Sequence, residues 1–209
     1  MNILHIDASP QGSASISRQL TASVVEKLTR DHPSAQVVHR DLVATPISHL
    51  SGELLQVLRP VAGSMPPSGP TLRAETDQTD TLINELLGAD VVVIGAPMFN
   101  FSIPSQLKAW IDRVAQAGRT FRYTAEGPEG LAKGKKVIVV STRGGVYAGT
   151  AYETAMDHQE AYLRTVLNFL GMTDVAYVRA EGIAIKRDEA LATANQQIAE
   201  LRVEYPRAA

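Results

Sequence analysis

The chain of 209 residues contains no cysteine. That absence excludes disulfides, thiolate zinc sites, iron–sulfur clusters and any cysteine nucleophile. Neither sign of charge is in marked excess, since 20 Lys and Arg stand against 22 Asp and Glu, a formal net charge of −2. With the signs interspersed, there is no footprint for a nucleic acid or an anionic membrane partner. The longest strongly apolar run, Val91 to Ile94 and its continuation to Phe99, falls far short of the ~20 residues that span a bilayer. The start, Met1-Asn2-Ile3-Leu4-His5-Ile6-Asp7, lacks the basic residues and cleavage site of a signal peptide, and the expected location is the cytoplasm. What is present, 44% hydrophobic and 20% charged residues, is the profile of one globular domain over 1–209.

Apolar periodicity alternates between short continuous runs and helical spacing. Ile3 to Ala8 reads as a strand buried on both faces, followed by a serine-rich loop. A helix begins near Ser15 or Ser17 and ends before Pro33, and Gln36 to Leu42 is a second, more polar strand suited to a sheet edge. Residues 51–59 form a short helix, 60–70 a Pro/Gly/Ser excursion, and Thr71 to Leu87 a longer helix with Gly88 beyond its end. The clearest strand is Asp90 to Ala96. After it come a loop to Ile103, a helix Ser105 to Gln116 led by Pro104, a long loop or small hairpin over 118–134, and a fourth strand Val137 to Ser141. A helix from about Ala151 to Leu170, a fifth strand Val175 to Ala180 and a helix from about Asp188 to Glu204 complete the series.

Five strands separated by helices, three of them continuous apolar runs, specify an α/β fold: a doubly wound parallel sheet with helices on both faces. The five-stranded version is flavodoxin-like, order 2-1-3-4-5, with its ligand beyond the carboxyl ends of the strands where strands 1 and 3 meet. The loops after strands 1, 3 and 4 therefore hold the expected site.

The first of these, Ser9 to Ser17, has four serines in nine residues and runs into a helix N-terminus. A phosphate monoester fits there, because uncompensated N–H groups, the helix dipole and the hydroxyls converge on one point, and this reading is favoured over serines that simply cap the helix and shape the turn. Neither a P-loop nor a G-x-G-x-x-G fingerprint occurs, which leaves a mononucleotide. The second, Ala96-Pro97-Met98-Phe99-Asn100-Phe101-Ser102-Ile103-Pro104, is apolar and stiff, suited to cover a flat ring. In the third, Thr142-Arg143-Gly144-Gly145, a cation adjoins two glycines that let a ligand approach the backbone. A phosphate cradle, a ring-binding loop and a glycine loop on adjacent strand ends describe a site for flavin mononucleotide (FMN).

In Ala96-Pro97-Met98-Phe99-Asn100-Phe101, Gln106-Leu107-Lys108, Thr120 to Thr124, Gly127 to Leu131, Thr142 to Gly145 and Ala180-Glu181-Gly182 the sequence resembles the FMN-dependent NAD(P)H azoreductases, homodimeric quinone and azo-compound reductases. The resemblance covers nearly the whole chain. It implies FMN contacts from Ser9, Ser15, Ile16 and Ser17 on the phosphate side, from Met98, Phe99, Asn100 and Phe101 along the isoalloxazine, and from Thr142, Arg143, Gly144 and Gly145 at the pyrimidine edge. It also brings Arg59, Asn100, Tyr123 and Phe169 to the substrate, some from a second subunit. Phe99, Ile16 and Thr142 stand where the family often has tyrosine, glutamine and serine; the first change bears on substrate preference. NADH or NADPH is the implied reductant, with two-electron ping-pong reduction of a quinone or azo compound. The cofactor carries the chemistry, so no catalytic acid, base or nucleophile is assigned; Arg143 is expected to steady charge near the ring.

The rival is a flavodoxin-type carrier of electrons between proteins. Carriers of that kind dock through a strongly charged face, which a net charge of −2 does not supply, while the 60–70 and 118–134 segments suit the walls of a substrate site. Ser105-Gln106-Leu107-Lys108 fits S-x-x-K, but its partner motifs are missing. The five histidines, His5, His32, His39, His49 and His158, show no metal-ligand spacing and are expected to be structural or surface residues.

Overall fold

The computed structural model describes residues 1–63 and 65–203. Strands β1 (Asn2–Asp7), β2 (Gln36–Asp41), β3 (Val91–Pro97), β6 (Lys136–Thr142) and β7 (Asp174–Ala180) form a parallel sheet in the order β2-β1-β3-β6-β7. The sequence reading numbers that order 2-1-3-4-5. The difference comes from the 118–134 segment, where β4 (Phe121–Thr124) and β5 (Gly127–Gly130) pair antiparallel in a separate two-stranded sheet and take two numbers in chain order.

Successive residues of the strands face opposite helical layers. Val91, Val93, Ile138 and Val140 pack with Leu20, Val24 and Leu28 of α1 (Ile16–Asp31) and Ala194 and Ile198 of α7 (Arg187–Glu200). Val92, Ile94, Val137 and Val139 turn the other way, toward α3 (Pro70–Gly88), α4 (Ser105–Val114) and α6 (His158–Phe169), in a cluster that includes the buried Trp110. Burying each such side chain stabilises the fold by about 1.5–3 kcal/mol, enough to fix which face each strand presents. Strand β2 lies at the edge and is largely exposed, as its polar sequence requires.

Several boundaries differ from the sequence reading; α4, for one, ends at Val114 rather than Gln116. Gly88 is the last residue of α3, which begins on Pro70, and Ala89 is the cap. Strand β3 runs through Pro97: β1 is paired only as far as Gly95, and Met98 N–H donates to Thr142 O at 2.8 Å on the opposite side, so the missing proline N–H has no ladder partner to lose. The single helix expected from 151 to 170 is broken into α5 (Tyr152–Met156) and α6, because the Asp157 carboxylate accepts from Gln159 and Glu160 N–H at 3.1 Å and starts a new helix. The last helix closes at Glu200; the expected end at Glu204 lies outside the described residues. Helix α2 (Gly52–Leu58) falls where expected.

Candidate functional site

The register aligns the carboxyl ends of the central strands: Asp7 pairs with Gly95, Pro97 with Thr142, and Thr142 with Ala180. The loops after β1, β3, β6 and β7 are thereby gathered at one rim.

After β1 the chain makes a short 3-10 turn, Gly12–Ala14, that needs the positive φ of Gly12 (56°). Ser15 then caps α1, its hydroxyl accepting from Arg18 N–H at 3.4 Å and lying 3.0 Å from that of Ser17. Ser9, Ser15 and Ser17 are all buried, and the hydroxyls of Ser15 and Ser17 lie together at the positive end of α1. Arg18 braces this loop from behind: its Nε donates to Ser9 O at 3.0 Å while the guanidinium forms a two-pronged pair with Asp41 at 2.6 and 2.7 Å. That pair, with N–H groups of Val43 and Ala44, holds the Asp41 carboxyl far below the usual carboxylate range.

After β3, Phe99 and Ser102 exchange backbone hydrogen bonds of 2.9 and 3.1 Å across Asn100 (φ 48°) and Phe101 (φ 69°). Positive φ at both central residues is the geometry of a type I′ turn, a place for Asn-Gly; a phenylalanine held there is strained by about 1–2 kcal/mol. The turn is kept in place by His158 N–H, which donates to Phe101 O at 3.0 Å. Phe99 and Phe101 are left 37% and 42% exposed at the rim, aromatic surface that the fold itself does not consume.

The loop after β6 departs from expectation at Arg143. Its guanidinium is buried rather than aimed at the rim, with Nη2 at 2.9 Å from Asp157 and 2.8 Å from Glu160, Nη1 at 2.7 Å from Glu181 and Nε at 2.9 Å from Gln159 Oε1. Three carboxylates draw one cation inward, so the side chain is an internal tie and its expected role of steadying a ring is withdrawn. Gly144 behaves in the opposite way. Its φ is not in the left-handed region and a Cβ would meet only Ala184 Cβ, at 3.7 Å, so the fold does not require glycine there. Yet it lines the hollow, where a side chain would fill the space offered to a ligand.

That hollow, about 200 Å³, is bordered by Ser15, Ile16, Met98, Phe99, Thr142 and the Arg143–Gly144 segment. It falls below the range of about 300–1,000 Å³ for small-molecule sites. A wider one of about 680 Å³ adjoins it through Phe99, bordered by Pro10, Asn100, Pro104, Lys108 and Tyr162. Together they have room for a nucleotide with an extended ring. Gln11, Ile183 and Ala184 also line the first hollow and were not foreseen; the loop after β7 reaches it because Ile183 and Ala184 N–H donate to Arg143 and Gly144 O at 3.1 Å. Ser9, Ser17, Phe101 and Gly145 border neither hollow. Nor do Arg59, at the exposed end of α2, Tyr123, 74% exposed on β4, or Phe169, whose ring packs on Phe121 at 4.6 Å.

A family model described as "Flavodoxin-like fold" matches residues 1–202. The chain belongs to this flavodoxin-like family. Among curated relatives, an FMN-dependent NADH:quinone oxidoreductase of Azospirillum brasilense is 57% identical over 208 residues, 97% of this chain and 98% of that protein. Another of the same name from Sinorhizobium fredii is 54% identical over 204 residues, 96% of each. A crystal structure of an FMN-dependent NADH-azoreductase from Bacillus anthracis in complex with FMN superposes with a TM-score of 0.87 at 26% identity, covering 95% of this chain and 96% of that one. This flavodoxin-like chain also has no described helix long and apolar enough to cross a membrane.

Proposed function

We propose that the protein is an FMN-dependent NADH:quinone oxidoreductase that also reduces aromatic azo compounds. The observation that carries this reading is the convergence of the three loops on one hollow at the β1/β3 switch point, in a chain whose relatives and structural neighbours bear those activities in their names. FMN, when bound, supplies a two-electron relay between NADH and the acceptor. Ser9, Ser15 and Ser17 with the α1 N-terminus hold the phosphate. Met98, Phe99, Asn100 and Phe101 orient the ring and exclude water from one side of it, and backbone of Thr142, Arg143, Gly144 and Gly145 meets its polar edge.

The wider hollow next to Phe99 is where reductant and acceptor lie in turn, which favours the enzyme over an electron carrier that docks proteins. Phe99 offers that hollow a ring without a hydroxyl and so selects flat apolar acceptors. Arg59, Tyr123 and Phe169 complete it in a cytoplasmic homodimer, the exposed β4–β5 hairpin of one protomer covering the open hollow of the other. Purified protein is expected to be yellow and to give parallel reciprocal plots with NADH and a benzoquinone, and light scattering is expected to show a dimer. A colourless protein that refuses added FMN would overturn the assignment; a fully active monomer would remove only the dimer.

A further inference from the structure

The parallel register of β1 and β2 places His5 beside His39, and Asp7, two residues beyond His5, presents its side chain on the same face. Two of the five histidines scattered along the chain, His5 and His39, therefore share one place. His5 Nε2 lies 3.4 Å and His39 Nε2 3.0 Å from the same carboxylate oxygen, Asp7 Oδ2, and the three donor atoms are all within 4.8 Å of one another. The imidazoles stack with centroids 4.5 Å apart. His5 is only 7% exposed, and its Nε2 has no hydrogen-bond partner. A buried nitrogen left in that state costs about 1–3 kcal/mol, and in a site of this kind its lone pair is an open ligand position.

We propose that His5, Asp7 and His39 form a binding site for a divalent transition-metal cation, with Zn²⁺ the ion their chemistry fits. Zinc takes imidazole nitrogen at about 2.0–2.1 Å and carboxylate oxygen at about 2.0–2.2 Å, so tetrahedral ligand atoms stand about 3.4 Å apart, close to the two spacings observed. Two imidazoles and one carboxylate suit zinc, copper or iron rather than calcium or magnesium. The outer layer is in place: Thr21 Oγ1 donates to Asp7 Oδ1 at 2.9 Å and so holds Oδ2 toward the two imidazoles, where an ion would replace the proton that His39 Nε2 now shares with it. Arg18 Nη1, 3.8 Å from Asp7 Oδ2, is the opposing charge, and its two-pronged pair with Asp41 offsets it. The half-exposed His39 side chain provides the entry. The site uses no residue of the FMN loops and does not depend on that assignment; bound zinc would fasten the edge strand β2 to β1.

Tag-free, FMN-loaded protein stripped of metals and titrated with zinc chloride in a calorimeter at neutral pH is expected to take up one ion per chain. His39→Ala, at a half-exposed position where folding is not at risk, should weaken that binding by at least ~10-fold, and Thr21→Val, which frees Asp7 to turn away, by ~10–100-fold. NADH:quinone turnover by H39A should match the parent. No uptake of zinc by the parent protein would overturn the proposal, as would equal uptake by H39A, which would put the ion on His32, His49 or His158.

Discussion

Arg143 shows how much a residue's neighbours decide that its sequence context does not. Beside two glycines at a ligand-facing strand end, a cation reads as a ligand group; in the structure it is the hub of Asp157, Glu160 and Glu181, with no exposed side-chain surface. Removing one member of a buried ionic cluster leaves the others uncompensated. Arg143→Ala is therefore expected to destabilise the protein by about 3–5 kcal/mol, read as a lower urea midpoint at unchanged slope, before any effect on FMN is considered. A stability equal to the parent, with only FMN affinity lost, would return the guanidinium to the flavin. Gly144 is the converse, a residue the fold tolerates changing and the ligand does not. Gly144→Val should leave the melting temperature of the FMN-free protein within a degree or two while raising the FMN dissociation constant ~10-fold, about 1.4 kcal/mol, in a fluorescence titration.

Elements were legible where one physical signal dominated. The sheet strands and α1 follow from continuous apolar runs and from serine capping, and both are where the sequence places them. The break between α5 and α6 was not legible, because the apolar period reads straight through Asp157 and only the carboxylate's hydrogen bonds to Gln159 and Glu160 N–H reveal a new helix start. The β4–β5 hairpin was legible as a loop or hairpin from its glycines, but what anchors it was not. Gly130, the last residue of β5, lies so close to the Leu170–Gly171 turn that a Cβ would overlap Gly171 N and Leu170 C, and Gly171 itself needs a φ of 94°. Ala132 N–H, donating to Leu170 O at 2.9 Å, closes the same junction. Because the obstruction is backbone on both sides, Gly130→Ala should cost at least ~3 kcal/mol, and the melting temperature should fall by roughly 6–12 °C. An unchanged melting temperature would mean that the hairpin is not held against α6 in this way.

At the scale of the whole molecule, the site could be located from topology alone, since a doubly wound sheet gathers its loops at one rim. The pairing of His5 with His39 could not, because 34 positions separate them along the chain and only the β1–β2 register brings them together. Register also assembles the ionic cluster that joins β6, β7 and α6, and this cluster contributes to how the fold responds to acid. Burial of Glu160 by itself raises its pKa. That effect is outweighed by hydrogen bonds from Arg179 at 2.8–3.1 Å and Ser141 at 2.7 Å and by the charges of Arg143 and Arg179, so the carboxyl is held below its ordinary value of 4.5. On acidification the unfolded chain takes up this proton before the native one does. The contribution of Glu160 is thus fully present above about pH 4.5 and is lost as the pH falls from there through the lowered native value. Urea midpoints measured from neutrality downward should stay level to about pH 5 and then decline. Glu160→Gln removes the titrating group, so that variant should be less stable at neutral pH yet decline less steeply below about pH 4.5, the two curves converging as Glu160 becomes protonated in the parent. Curves that stay parallel throughout would assign the acid sensitivity of the fold to other carboxylates.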